Sequence, residues 1–324
     1  MRIDDTDTKP ELIAIAGQFA EFDEFTEAVA GWDIDFRQLR SGKLNATLTQ
    51  VVGESWSLAK AHFDCPTYQQ GLSVPGMRTF AILDPAAPDT DWCGRMFTPK
   101  ILAMFARDTD FRSISPPGFD VYTLSFTEEQ LAEASERLGI HDVTSKLERA
   151  DATMQLHQGL AGVLRHLVNV SLNTAYSYAA QGAYWTTSNS MRDEIAEHLV
   201  LQLSGGSPLL LTPSQNVRKR AVNRALEIIE AGLEDRISIR EVARLSGVGR
   251  RTLEYAFRDR FGVSPKAFVN IQRMILTRRD LRARPDKIPI ADIANQWGYW
   301  HMGQFARDYR SLFGELPSES SRRR

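Results

Sequence analysis

The sequence predicts an α+β protein of two domains: an N-terminal β-rich barrel or sandwich with flanking helices, then an all-helical C-terminal unit. Three observations carry this expectation. Between Leu44 and Phe126, short runs alternate apolar and polar residues at period two, with Gly/Pro turns between them. From Thr127 the apolar residues recur at three- and four-residue spacing instead. Near the C-terminus a segment of about 30 residues occurs twice. A chain of 324 residues is long enough for two cores at roughly 150 residues per domain.

In chain order, residues 10–31 read as a short amphipathic helix. The strand-like runs that follow are 44–51, 55–63, 78–83, 94–98, 101–106 and 121–126. Val74-Pro75-Gly76, Asp84-Pro85 and Ser115-Pro116-Pro117-Gly118 mark turns among them. Thr127, followed by Glu128 and Glu129, caps a helix that ends at Gly139. A second helix covers about 152–172. Its Leu156, Leu160, Val163, Leu167 and Val170 form a coiled-coil-like stripe, either an ordinary face against the sheet or a dimer contact. A third helix runs over about 190–203. Ser204-Gly205-Gly206-Ser207-Pro208 then marks the linker. The expected units are therefore 1–126, a helical linking and dimerisation region over 127–206, and 214–320.

The duplicated stretches are 237–265 and 288–317. Ile237, Ile239, Val242, Ala243 and Gly247 correspond to Ile288, Ile290, Ile293, Ala294 and Gly298. After one inserted residue, Leu253, Phe257, Phe261, Gly262 and Pro265 correspond to Phe305, Tyr309, Phe313, Gly314 and Pro317. Each copy reads as a helix-turn-helix: a short helix with Ala on its inner face, a Gly that permits positive φ, then a longer helix. Ser238 caps the first short helix, and Pro289 suits the first turn of the second. The helix between the copies, about 265–283, has roughly 19 residues and a length of about 29 Å. Successive major-groove faces lie about 34 Å apart, so this strut holds both long helices to one side of a duplex.

Charge points the same way. From Gln215 to the end there are 23 basic and 13 acidic side chains, an excess of +10; the other 214 residues carry 16 and 28, a deficit of −12. Twenty of those 23 are Arg, whose planar fork suits phosphate oxygens and guanine edges. No apolar run approaches the roughly 18 residues of a membrane span, and the first ten residues lack a signal-peptide pattern. A soluble cytoplasmic protein without a membrane partner is expected.

The duplicated unit resembles the DNA-binding domain of the AraC/XylS family of bacterial transcription regulators. The residues that carry the likeness include Ile239-x-x-Val242-Ala243, Leu253-x-x-x-Phe257, Phe261-Gly262-x-Ser264-Pro265, Trp297-Gly298-Tyr299 and Phe305-x-x-x-Tyr309-x-x-x-Phe313-Gly314. Trp300-His301-Met302 and Leu316 depart from the usual small polar residues. The resemblance implies that Arg250, Arg251, Thr252, Glu254 and Tyr255 of the first reading helix face DNA, with His301, Met302, Gln304 and Arg307 of the second. By their chemistry Arg251 and Arg307 suit guanine, Glu254 cytosine and Gln304 adenine. Arg258, Arg310 and the basic side of the connecting helix are assigned to phosphates. The resemblance also implies double-stranded promoter DNA as partner, RNA polymerase if the protein activates, and a homodimer.

In this family the partner domain is often a cupin-like β-barrel that binds a small effector and helps dimerisation. Residues 31–138 further resemble sensor domains of the ethanolamine-utilisation-regulator type, through Gln38-Leu39-x-x-Gly42, Pro75-Gly76-x-x-Thr79-Phe80 and Pro117-Gly118-Phe119. Candidate effector contacts are Arg37, Arg40, Trp56, Tyr68, Arg78 and Trp92. No metal or cofactor is expected, because only His62 falls in the barrel region and neither a nucleophile elbow nor a phosphate loop occurs. Two competing readings are an effector-independent DNA binder and an alkyl-transfer repair protein. The second needs a four-ligand zinc site that Cys65 and Cys93 cannot supply. The expected protein is not an enzyme.

Overall fold

The computed structural model describes residues 13–40, 44–107, 109–141, 143, 147, 153–180, 189–206, 213–235, 237–283 and 288–322. Its N-terminal lobe contains β1 (Ile13–Phe19), α1 (Phe22–Ala28), β2 (Asp33–Gln38), β3 (Ala46–Val52), β4 (Trp56–Phe63), β5 (Thr67–Leu72) and β6 (Arg78–Leu83). There follow β7 (Thr90–Trp92), β8 (Arg95–Phe97), β9 (Ile101–Met104), β10 (Phe111–Ser115), β11 (Phe119–Phe126) and β12 (Thr153–Gln155). One antiparallel sheet runs β1-β3-β4-β11-β6-β9-β12, the other β2-β5-β10-β7-β8. They face each other as a sandwich and do not close into a barrel.

The period-two alternation sorts each strand between two environments. On β4, Trp56 and Leu58 point away from the second sheet, while Ala59 and Phe63 point into the sandwich. On β11 the division is Tyr122 and Leu124 against Phe119 and Val121. The outward set is covered by α2 (Glu128–Arg137), α3 (Gln158–Ala180) and α4 (Asn189–Gly205). Thr127 caps α2 through an oxygen that accepts from the Gln130 amide at 3.4 Å, and Gly139 follows with φ of 66°. Positions 207–212, which include the end of the expected linker, lie outside the described residues.

Three expectations need correction. Residues 10–31 do not form one helix: Ile13–Phe19 pairs along β3 from Ile13↔Val52 to Phe19↔Ala46, and among the described residues of this stretch only the seven of α1 are helical. The two-residue alternation of Ile13 and Ile15, with Phe19 closing the run, suits an edge strand. Residues 153–155 likewise form β12 on β9, so the second helix begins at Gln158. The stripe that α3 buries is Ala161, Leu164, Val168, Leu172 and Ala175, one position beyond the expected seam. Its two alanines let the helix approach the sheet. Val163 is exposed, Leu160, Leu167 and Val170 are half-buried, and Leu156 is buried just before the helix.

The C-terminal lobe consists of α5 (Pro213–Ala231), α6 (Ile239–Leu245), α7 (Arg250–Phe261), α8 (Pro265–Ala283), α9 (Ile290–Gln296), α10 (Met302–Phe313) and α11 (Pro317–Ser320). Phe257, Phe261 and Phe268 form its aromatic centre, with ring centroids 4.7–5.6 Å apart. Tyr68 of β5 joins that cluster edge-on to Phe268 at 5.6 Å, so the two lobes share a core.

Candidate nucleic-acid interface

Both repeats fold as the spacing predicts. Ser238 accepts a hydrogen bond from the Glu241 amide at 3.2 Å and so caps α6. Pro289 sits at the N-cap of α9, one residue before the expected first turn. Gly247 and Gly298 have φ of 73° and 89°, which turns the chain from each short helix toward the long one. α7 and α10 are each 12 residues long and each stop at a left-handed glycine, Gly262 and Gly314. α7 buries Leu253, Phe257 and Phe261. α10 buries Phe305, Tyr309 and Leu312, with Phe313 only partly covered.

The opposite faces are open. Arg250, Arg251, Thr252, Tyr255 and Arg258 on α7 are exposed, and Glu254 is half-buried. His301, Gln304, Arg307 and Arg310 are exposed at or on α10, with Met302 half-buried. Arg251 donates to the Tyr255 hydroxyl at 3.3 Å and lies 5.6 Å from its ring centroid, which holds the guanidinium along the helix. Gln304 donates to Asp308 at 2.6 Å and accepts from Arg307 at 2.8 Å. Its amide is therefore already oriented, with one N–H and one lone pair left for a base edge.

The connecting helix departs from expectation. Two of its arginines turn to the N-terminal lobe: Arg278 pairs with Glu21 at 2.5 Å, and with Glu315 at 2.8 Å, and Arg282 pairs with Asp23 and Glu21. Arg279 lies 3.7 Å from Asp35. Arg278 and Arg282 are thus engaged by carboxylates, while Arg273 donates to the Leu233 carbonyl at 2.8 Å and the Arg279 side chain stays 56% exposed. Burial alone would raise the Glu315 pKa, but the Ser320 hydroxyl and the Arg278 and Arg282 guanidiniums hold it below the ordinary range. Other cross-lobe contacts are Arg37 to Gln272 at 2.5 Å, Tyr68 and Arg112 to Glu230 at 3.1 Å each, and Arg260 to Asp91 at 2.9 Å. Only the arginine-rich composition hinted at this seam.

The six candidate effector residues do not converge. Trp92 lines the sandwich interior. Trp56 faces α2–α4 on the far side of its sheet, and Arg78 pairs with Glu128 at 2.8 Å. Arg37 and Tyr68 lie in the seam between lobes. Arg40 lines a crevice of about 550 Å³ between the second sheet and α5 and α7, with Arg260, Ile114 and Phe261. The sandwich interior retains only about 60 Å³, walled by rings such as Phe105 and Phe111 at 4.8 Å and with no ionisable side chain in its lining. Cys65 and Cys93 are buried, and burial pushes the Cys65 thiol up to about 11. Among the described residues no cluster of His, Cys, Asp or Glu is arranged to hold a metal, and no helix is long and apolar enough to cross a membrane.

Comparison with known proteins follows this geometry. A family model described as a helix-turn-helix domain matches residues 242–323. The chain is 37% identical over 102 residues to a probable thc operon regulatory protein of Rhodococcus erythropolis, which is 31% of each sequence. It is 30% identical over 134 residues to XylDLEGF operon transcriptional activator 2 of Pseudomonas putida, 39% of this chain and 84% of that protein. The chain belongs to the AraC/XylS family of transcription regulators. For the thc operon protein and similar curated relatives the matched stretch spans under a third of their length. Among solved structures, the AraC-like transcriptional activator CuxR aligns over 88% of this chain and all of its own, with 15% identity and a TM-score of 0.45.

Proposed function

We propose that the chain is a ligand-responsive, non-enzymatic transcription regulator that binds promoter DNA sequence-specifically through its two helix-turn-helix units. One observation carries this reading: two helices of equal length, one per repeat and each closed by a left-handed glycine, leave arginines on their outer faces while Leu253, Phe257, Phe305 and Tyr309 point inward. Their N-terminal halves enter consecutive major grooves, and Arg258 and Arg310 meet phosphates. The outward stripe of α3 around Val163 is open to a second copy, and RNA polymerase is the further partner of an activator.

We assign the effector to the crevice between the lobes rather than to the sandwich. An apolar cavity that binds benzene measures about 150 Å³, more than the interior offers, whereas ligand sites commonly occupy about 300–1,000 Å³ at domain boundaries. Arg260 supports the assignment. Its side chain is 6% exposed, it donates to Asp91 and Asn223, and its Nη2 is buried without an acceptor. A ligand bound there touches the first reading helix directly.

The test is fluorescence anisotropy of the full chain with duplexes selected from a random pool, over a salt series. Affinity should fall steeply and linearly on log–log axes. Binding that ignores salt and sequence would refute the proposal. Calorimetry of wild type and Arg40→Met against a metabolite panel tests the crevice: a compound bound by wild type and weakened by the substitution supports it, and no response to any compound favours a constitutive DNA binder.

A further inference from the structure

Of the three aromatics in Trp297-Gly298-Tyr299-Trp300, the first two are anchored to α8. The Trp297 indole donates to Asp280 at 2.6 Å, and the Tyr299 hydroxyl donates to the Asn270 carbonyl at 3.0 Å. Tyr299 also packs on Phe305 at 5.2 Å, so the inner approach to α10 is taken. Trp300 is turned outward and is 58% exposed, just ahead of the second reading helix. With Met302, Gln304 and Arg307 it borders an open hollow at the start of α10. The space beside Gly303 is open, since a Cβ there would meet nothing within 4 Å.

More than half of the area of this large side chain remains in water, where it is open to a ligand. It borders the same hollow as the exposed Arg307, whose charge suits a polyanion. The major groove offers one apolar feature to such a ring, the 5-methyl group of thymine.

We propose that Trp300, with Met302 beside it, is a specificity-determining residue that reads thymine methyl groups in the groove entered by α10. The inference rests on the DNA-binding reading above and adds to it a base preference and the residue responsible. The indole covers the methyl while the vacant side of Gly303 lets the base edge approach the helix backbone. Arg307 and Gln304 read the polar edges of neighbouring bases.

The experiment uses the full chain and a duplex selected for tight binding. Each thymine is replaced in turn by deoxyuridine, which deletes the methyl and nothing else. In the half-site whose sequence preference Arg307→Ala relaxes, one or two replacements should weaken wild-type binding about fourfold each, the equivalent of one buried methyl group. Trp300→Ala should bind the thymine and deoxyuridine duplexes equally, and Trp300→Phe should keep part of the difference. Circular dichroism melts check that both variants fold. Tolerance of every deoxyuridine by wild type, or an unchanged penalty in Trp300→Ala, overturns the inference and leaves the DNA-binding reading standing. A uniform loss in Trp300→Ala across all sequences assigns the indole to the phosphate backbone and likewise overturns it. Failure of the full chain to bind any duplex in a salt-dependent way refutes the broader reading, and this inference falls with it.

Discussion

Arg251 and Arg307 occupy equivalent outward faces of the two reading helices, and each is tethered within its own helix, to Tyr255 and to Gln304. Such tethers limit the rotamers an arginine must give up when it pairs with a base. Replacing either by Ala should cost about 1–3 kcal/mol at one base position and relax preference there. Competition binding against single-base variants measures this, and a loss uniform over all sequences would reassign the residue to phosphate. The buried thiols make a second prediction. With Cys65 held up to about 11 and both cysteines in the core, labelling by a thiol reagent near neutral pH should be slow in native protein and fast in denaturant. Rapid native labelling would show that the sandwich opens readily.

At the scale of elements, α7 and α10 depend on aromatic anchors rather than on helix propensity. Phe257 is fully buried among Phe261 and Phe268, so Phe257→Ala should destabilise the chain by about 3–5 kcal/mol in urea unfolding. These helices were legible because a repeated pattern of Leu, Phe, Gly and Pro has few other physical explanations. The second sheet was not. On β2 and β5 the outward residues, such as Asp35, Arg37 and Gln70, face the other lobe or its ion pairs, so the strands read as polar loop. α3 misled for another reason: both its faces carry apolar residues at helical spacing, and the alanines that permit close packing chose the buried one. Of the candidate sites, the exposed outer face of the two long helices was readable from the repeat. The effector residues were not, because side-chain parity decides which cavity each one reaches.

On the scale of the whole molecule, the opposite charges of the two halves are partly consumed against each other. Glu21, Asp23 and Asp35 meet Arg278, Arg282 and Arg279 across the seam. Glu21→Gln removes a charged partner of Arg278 and should cost about 1.5–3 kcal/mol in chemical unfolding. Glu315 adds an acid limit. Its pKa lies below the reference 4.5 in the folded chain, so its contribution is complete above that value and is lost as pH falls through the folded value. A denaturation series in acid should show stability dropping below about pH 4.5, less steeply in Glu315→Gln. The central claim concerns the paired reading helices on their rigid spacer. Hydroxyl-radical footprinting of the full chain on its selected duplex tests it most directly: two protected patches on one side of the DNA, about 10 base pairs apart, are predicted. A lone patch, or protection spread over both sides, would contradict it.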